Sequence, residues 1–150
     1  LGAFLRYNYQ PALIFMGDTG SLLIGFMLSI FAIRMIESPM EDCFSFLDDK
    51  TPVIVIAVLI IPLFDSMRVF IIRVLEKRSP LKGDFSHLHH KFINLGFSHQ
   101  QTTVVLSLIN LLMIVLVISL SFLDINYLLL IIISVCFVIS QILKRLKKVK

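Results

Sequence analysis

Charge is what this sequence has least of. Lys, Arg, Asp and Glu make up 16% of its 150 residues, against roughly 25% in soluble globular domains. Hydrophobic residues make up 57%, and the mean hydropathy is +0.92. That balance excludes an ordinary soluble domain and reads as an integral membrane protein. Cysteine is almost absent. Cys43 sits in a polar stretch and Cys136 in an apolar run, so they do not read as partners. No CxxC pair exists, so neither a cysteine zinc site nor a redox motif is indicated. A secretory signal is missing too, since no basic start leads to a small-residue cleavage site. The chain opens at Leu1 rather than Met and reads as a piece entered midway through a longer protein. There is no internal repeat, and no low-complexity tract beyond a basic tail.

In place of charge there are long apolar runs. Residues 19–36, 100–123 and 125–143 each satisfy the roughly 17–25 residues that a transmembrane helix needs. A further run, 53–64, is shorter and is interrupted by Asp65 and Arg68 before Val69-Phe70-Ile71-Ile72 resumes it. The pattern predicts one long helix over about 52–77, with its membrane part at 52–72. Pro52 suits the first turn, and Pro62 is placed to kink the helix just before Asp65. The expected fold is all-α: a polytopic membrane protein with about four transmembrane helices and a loop at about 73–99.

The few charges set the orientation. Between the first two spans lie Glu37, Glu41, Asp42, Asp48 and Asp49 against Lys50 alone. Between the second and third lie Arg68, Arg73, Lys77, Arg78, Lys82 and Lys91, and after the fourth come Lys144, Arg145, Lys147, Lys148 and Lys150. The positive-inside rule puts the 73–99 loop and both ends in the cytoplasm. Asp18, Asp65 and the histidines are then expected on one face. Arg34 and the basic tail read as interface anchors, and the tail also suits anionic lipid.

Two constellations could carry chemistry. In Phe15-Met16-Gly17-Asp18-Thr19-Gly20-Ser21 the aspartate is expected where a span begins. Carboxylates in that position are costly and usually functional. Such a carboxylate could share a hard cation such as Mg²⁺ with phosphate oxygens, or it could simply cap the helix. The second constellation is Asp84-Phe85-Ser86-His87-Leu88-His89-His90. In an extended segment His87 and His89 share a face and His90 points away, unless a turn brings it round. Three readings stand: binding of a diphosphate by His and Lys donors, a zinc site using Asp84, His87 and His89, or a solvated loop without a role. Asp65 and Arg68, three residues apart, can pair on one helix face.

At these residues the chain resembles the polyprenyl-phosphate N-acetylhexosamine-1-phosphate transferases, along nearly its whole length and as their C-terminal half. The resemblance rests on the Asp18 motif, on Pro62-Leu63-Phe64-Asp65, and on Arg73. It continues through Ser79-Pro80-Leu81-Lys82-Gly83-Asp84 into His87-Leu88-His89-His90, and through Leu95-Gly96-Phe97-Ser98-His99-Gln100-Gln101. It implies transfer of N-acetylhexosamine 1-phosphate from a UDP-sugar to undecaprenyl phosphate. UMP is released, and a cell-envelope polysaccharide begins at the cytoplasmic face of the bacterial inner membrane. Asp18 matches the family's metal-binding aspartate, for Mg²⁺ or alternatively Mn²⁺, and is the catalytic candidate. Phe15 matches an aromatic position that holds uracil. Arg73, His87, His89 and His90 match substrate-binding positions.

Phe85 departs from the family, which has a basic residue there. The family's paired aspartates and asparagine-containing nucleotide motif belong to its N-terminal half, outside this sequence, so these 150 residues alone are expected to be inactive. The competing readings are a phospho-N-acetylmuramoyl-pentapeptide transferase, a transporter piece, and a non-catalytic membrane fragment. Leu88 between His87 and His89 speaks against the first, because that enzyme's histidines are consecutive. The lipid bilayer is an expected partner and nucleic acid is not. Large membrane-buried surfaces are compatible with a homodimer.

Overall fold

The computed structural model describes residues 2–8, 12–37, 49–77, 79 and 87–149. These fall into two compact units, Leu1–Ser45 and Phe46–Lys150. The expected all-α fold is what is found, with no strand among the described residues. Among the described residues four helices are long and apolar enough to cross a membrane. The loop residues Cys43, Lys82, Asp84 and Phe85, which the sequence singled out, lie outside the described residues.

The first unit holds α1 (Gly2–Asn8) and α2 (Gly17–Glu37). At 1.5 Å per residue, the 21 residues of α2 rise roughly 32 Å, close to the ~30 Å hydrocarbon core. The connection before α2 is pinned by backbone and side chain. Leu13 N donates to Tyr7 O at 2.9 Å, and Asn8 Nδ2 donates to Ile14 O at 2.9 Å.

The second unit holds α3 (Thr51–Leu75), α4 (Leu88–Asn94), α5 (His99–Ser119) and α6 (Ile125–Val149). The single long helix expected over 52–77 is therefore present as α3, with Pro52 in its first turn. Its 25 residues rise roughly 37 Å, longer than the hydrocarbon core. One stripe of each long helix meets at the centre: Val53, Ala57 and Ile60 of α3, Met113 and Val117 of α5, and Leu128, Ile132 and Cys136 of α6. These positions recur at three- and four-residue intervals, as one face of a 3.6-residue helix requires. Apolar side chains on the opposite faces, such as Leu112 and Phe137, stay exposed. Between helices that lie in a bilayer, association rests on close packing and interhelical hydrogen bonds rather than on the hydrophobic effect.

One such bond has a local cause. Pro62 lacks an N–H, so the Val58 carbonyl four residues earlier has no donor within α3. Asn110 of α5 supplies one, its Nδ2 donating to Val58 O at 3.0 Å. The site of the expected kink is thus tied to the neighbouring helix, less than one turn before Asp65.

A second cluster sits beyond the first. Leu88 and Phe92 of α4 pack with Leu143 of α6, flanked by Phe64, Leu106 and Ile109. Short helices are marginal alone, and this one is held by burial of its apolar edge and by both termini. Its C-terminal end closes as a Schellman motif. Gly96 at φ 100° donates to Ile93 O at 2.9 Å, Phe97 N donates to Phe92 O at 3.2 Å, and the Phe92 and Phe97 rings meet edge to face at 5.7 Å. Two residues later Ser98 and Gln101 form a reciprocal capping box that starts α5. The Leu95-to-Gln101 motif is therefore a stop followed by a start, and it fixes how α4 leads into α5.

Candidate functional site

Each unit contributes one group of candidate residues. In the first unit Gly17 opens α2 at φ 66°, a conformation natural to glycine and costly to others. A side chain at Gly20 would collide with Met16, whose Cγ would lie 2.5 Å from the new Cβ. Both glycines of the motif thus serve the tight entry into α2. Asp18 follows in the first turn. It is not the cap of the helix: Ser21 Oγ donates back to the Asp18 carbonyl at 2.9 Å, and among the described residues nothing hydrogen-bonds to the Asp18 carboxylate. It is exposed. Phe15 is 91% exposed and borders an apolar groove of about 510 Å³ that continues along α2 past Met27 and Phe31.

In the second unit the histidines are organised by Asp65. Its Oδ2 lies 3.0 Å from His87 Nδ1, while its Oδ1 accepts from Leu88 N at 2.9 Å and from Arg68 Nη2 at 3.2 Å. The Asp65–Arg68 pair expected from spacing is present, but it is one contact of three. An ionised carboxylate only accepts hydrogen bonds, so the Nδ1 of His87 is the donor and Nε2 is on the far side of the ring. Asp65 also satisfies one of the free N–H groups at the start of α4, as a cap supplied from another helix.

Of the two arrangements that the sequence leaves open for the histidines, the turn that brings His90 round is the one found. Only His87 is extended (φ −61°, ψ 154°), and α4 begins at Leu88. Helical winding brings the three imidazoles side by side. His87 and His89 stack with centroids 5.9 Å apart, and His89 and His90 lie 4.1 Å apart. Leu88, between them in sequence, turns inward to the core and is 4% exposed. Partial burial, and then the neighbouring His90 and His87, push His89 below the ordinary imidazole value; Asp65 opposes this weakly, and His99 adds to the lowering. Arg73 belongs to the last turn of α3 and is 7% exposed. It is a fixed buried charge rather than a mobile arm.

Among the described residues no three His, Cys, Asp or Glu side chains are grouped so as to hold a metal ion. That disfavours a closed, all-protein metal cage there. A hydrated cation such as Mg²⁺ can take a single carboxylate, and among the described residues the Asp18 carboxylate has no hydrogen-bond partner. Sequence reasoning had Asp65 only as an ion-pair partner and did not pick out Asn110. The signal for Asn110 was available, because a mid-span proline frees a carbonyl and this asparagine is an amide donor in the middle of an uncharged span.

Residues 1–36 match the family described as Glycosyl transferase family 4. Over 106 residues, 71% of this chain, the sequence is 40% identical to the probable undecaprenyl-phosphate N-acetylglucosaminyl 1-phosphate transferase of Bacillus subtilis, 28% of which is covered. Over 112 residues, 70% of this chain, it is 36% identical to the decaprenyl-phosphate N-acetylglucosaminephosphotransferase of Mycolicibacterium smegmatis, 27% of which is covered. It is 30% identical over 95 residues, 63% of this chain, to the undecaprenyl-phosphate alpha-N-acetylglucosaminyl 1-phosphate transferase of Escherichia coli K12, with 24% of that protein covered. No solved structure matches. The chain is thus a multi-pass membrane member of glycosyl transferase family 4. Within that family it belongs with the polyprenyl-phosphate N-acetylhexosamine-1-phosphate transferases, and it spans about 28% of the length of the Bacillus relative.

Proposed function

We propose that this chain is part of an enzyme that transfers N-acetylglucosamine 1-phosphate from UDP-N-acetylglucosamine to undecaprenyl phosphate. UMP leaves, and the product primes an envelope polysaccharide at the cytoplasmic face of the bacterial inner membrane. The observation that carries the reading is the set of three adjacent imidazoles, the first of them bonded to Asp65, in a chain whose relatives are named for N-acetylglucosamine phosphotransfer to polyprenyl phosphates. The basic residues around the histidines and at the C-terminal end support the cytoplasmic assignment.

The chemistry asks for little proton transfer. A phosphate monoester has its second pKa at about 6, so the lipid phosphate is largely ionised at neutral pH. Its oxygen attacks the β-phosphorus of the donor, the bond from that phosphorus to the bridging oxygen breaks, and UMP leaves carrying the bridging oxygen. What limits such a reaction is bringing two anions together in line. His89 and His90, and His87 when both its ring nitrogens carry protons, are suited to bind donor phosphates through ring N–H groups, and Arg73 adds a buried positive charge in the last turn of α3. Phe15 offers an open aromatic face for uracil. Asp18 would hold Mg²⁺, or Mn²⁺, which when bound neutralises charge between the two anionic reactants.

The test joins this chain, in frame, behind the segments that precede the matched region in the Bacillus relative. Membranes are then assayed with labelled UDP-N-acetylglucosamine and undecaprenyl phosphate. Lipid-linked sugar phosphate dependent on His89 and His90 is expected. A hybrid that inserts stably yet makes no product, under conditions where the parental enzyme does, counts against the reading.

A further inference from the structure

The geometry points to Asp65 as a positioning residue that sets which nitrogen of His87 is offered to the ligand. This rests on the reading of the histidines as phosphate binders, and it adds how one of them is aimed. The carboxylate is 13% exposed and lies on the membrane-crossing helix α3, yet it reaches 22 residues along the chain to His87. Both of its oxygens are used on the same short segment, Oδ2 on the His87 ring and Oδ1 on the amide of Leu88. Arg68, from the same face of α3, holds Oδ1 from the other side.

Three consequences follow from those contacts. The ring cannot spin about its Cβ–Cγ bond without losing the bond to Oδ2. The proton of neutral His87 sits on Nδ1, because a carboxylate offers only acceptors. Nε2 is therefore the nitrogen left facing a ligand, held in a fixed direction as carboxylate partners do for metal-bound histidines; with a second proton on the ring, Nε2–H donates to a phosphate oxygen while Nδ1–H stays on Asp65. Leu88, anchored by its amide and buried by its side chain, carries the same orientation forward to His89 and His90. Asp65 thus couples α3 to the start of the triplet without itself touching substrate.

The experiment reads the tautomer directly. Ring ¹⁵N–¹H correlation spectra of the 150-residue chain in detergent micelles, at a pH where His87 is neutral, are expected to show the proton on Nδ1 in the wild type. Asp65→Asn presents an amide, and its N–H₂ group facing His87 would move that proton to Nε2. Asp65→Glu, which keeps the carboxylate, should restore the Nδ1–H form at least in part. Exchange of the Leu88 amide should quicken by at least about tenfold in Asp65→Ala, while α5 and α6 amides keep their protection. In the hybrid enzyme, Asp65→Ala, which removes the anchor of the ring, should lower kcat/KM about 10–100-fold, the range usual for outer-shell partners. A wild-type His87 protonated on Nε2, or an Asp65→Asn variant with unchanged tautomer and unchanged Leu88 exchange, overturns the proposal. If the tautomer shift is seen and transfer is absent from an intact hybrid, the positioning stands and the transferase reading falls.

Discussion

Asp18 and Asp65 are both aspartates on apolar helices, one in the first turn of α2 and one where the apolar run of α3 is interrupted, and their surroundings could hardly differ more. Asp18 is exposed, follows a glycine of positive φ, and accepts no hydrogen bond at its carboxylate among the described residues. Asp65 is largely buried and accepts from a ring, a backbone amide and a guanidinium. A carboxylate without internal partners keeps its coordination free for something outside the chain. A carboxylate with three partners has spent its lone pairs on architecture. Residue type and membrane position alone would have ranked the two alike.

The sharpest way to break that contrast is to neutralise each in turn. Asp18→Asn should lower transfer by the hybrid enzyme by about 10²–10³-fold, the scale of losing one preorganised electrostatic partner. Its unfolding midpoint in detergent should hardly move, since surface changes stay within about 0.5 kcal/mol. Asp65→Ala should do the reverse in kind, with a visible change in the folded state around α4 accompanying a smaller loss of rate.

The next comparison lies within α3. Asn110→Ala leaves the Val58 carbonyl without its donor, and a cost of about 1–2 kcal/mol in unfolding free energy is expected. Pro62→Ala restores an N–H to that carbonyl from within the helix. In that background Asn110→Ala should cost clearly less, and a double-mutant cycle measures the coupling. Additive effects would mean that the asparagine does not act through the proline gap. Ser98→Ala should cost about 1 kcal/mol as a lost cap, with faster exchange at the Gln101 amide.

The smallest expected effect is a pH slope. His89 has its pKa lowered in the folded chain, so below the unfolded value of about 6.5 the unfolded chain binds more protons and stability falls as pH falls. Above that pH the effect vanishes. His89→Ala should flatten stability between pH 6.5 and lower values, as followed by urea unfolding in mild detergent.

Much of this architecture was legible before any coordinates. Length and hydropathy located the spans, and proline position and three-residue spacing gave α3 and the Asp65–Arg68 pair. What could not be read was contact across sequence distance. Nothing local says that Asp65 reaches His87, because that depends on Leu88, Phe92 and Leu143 closing together. The winding of the histidines into α4 was missed for a different reason. Seven residues are too few for a periodic signal, although the Leu88 and Phe92 pair at four-residue spacing and Gly96 just beyond were its traces. The Asp18 motif was the most legible part, since its glycines answer to local backbone geometry.

The central claim is that a phosphorylated sugar, not a bare sugar, moves to the lipid. It is tested most directly by supplying the hybrid enzyme with UDP-N-acetylglucosamine labelled with ³²P at the β-phosphate and ¹⁴C in the sugar. Both labels are expected in the lipid product in equal amounts, with UMP as the released nucleotide. Sugar label in the lipid without the phosphate label, and UDP in solution, would contradict the account.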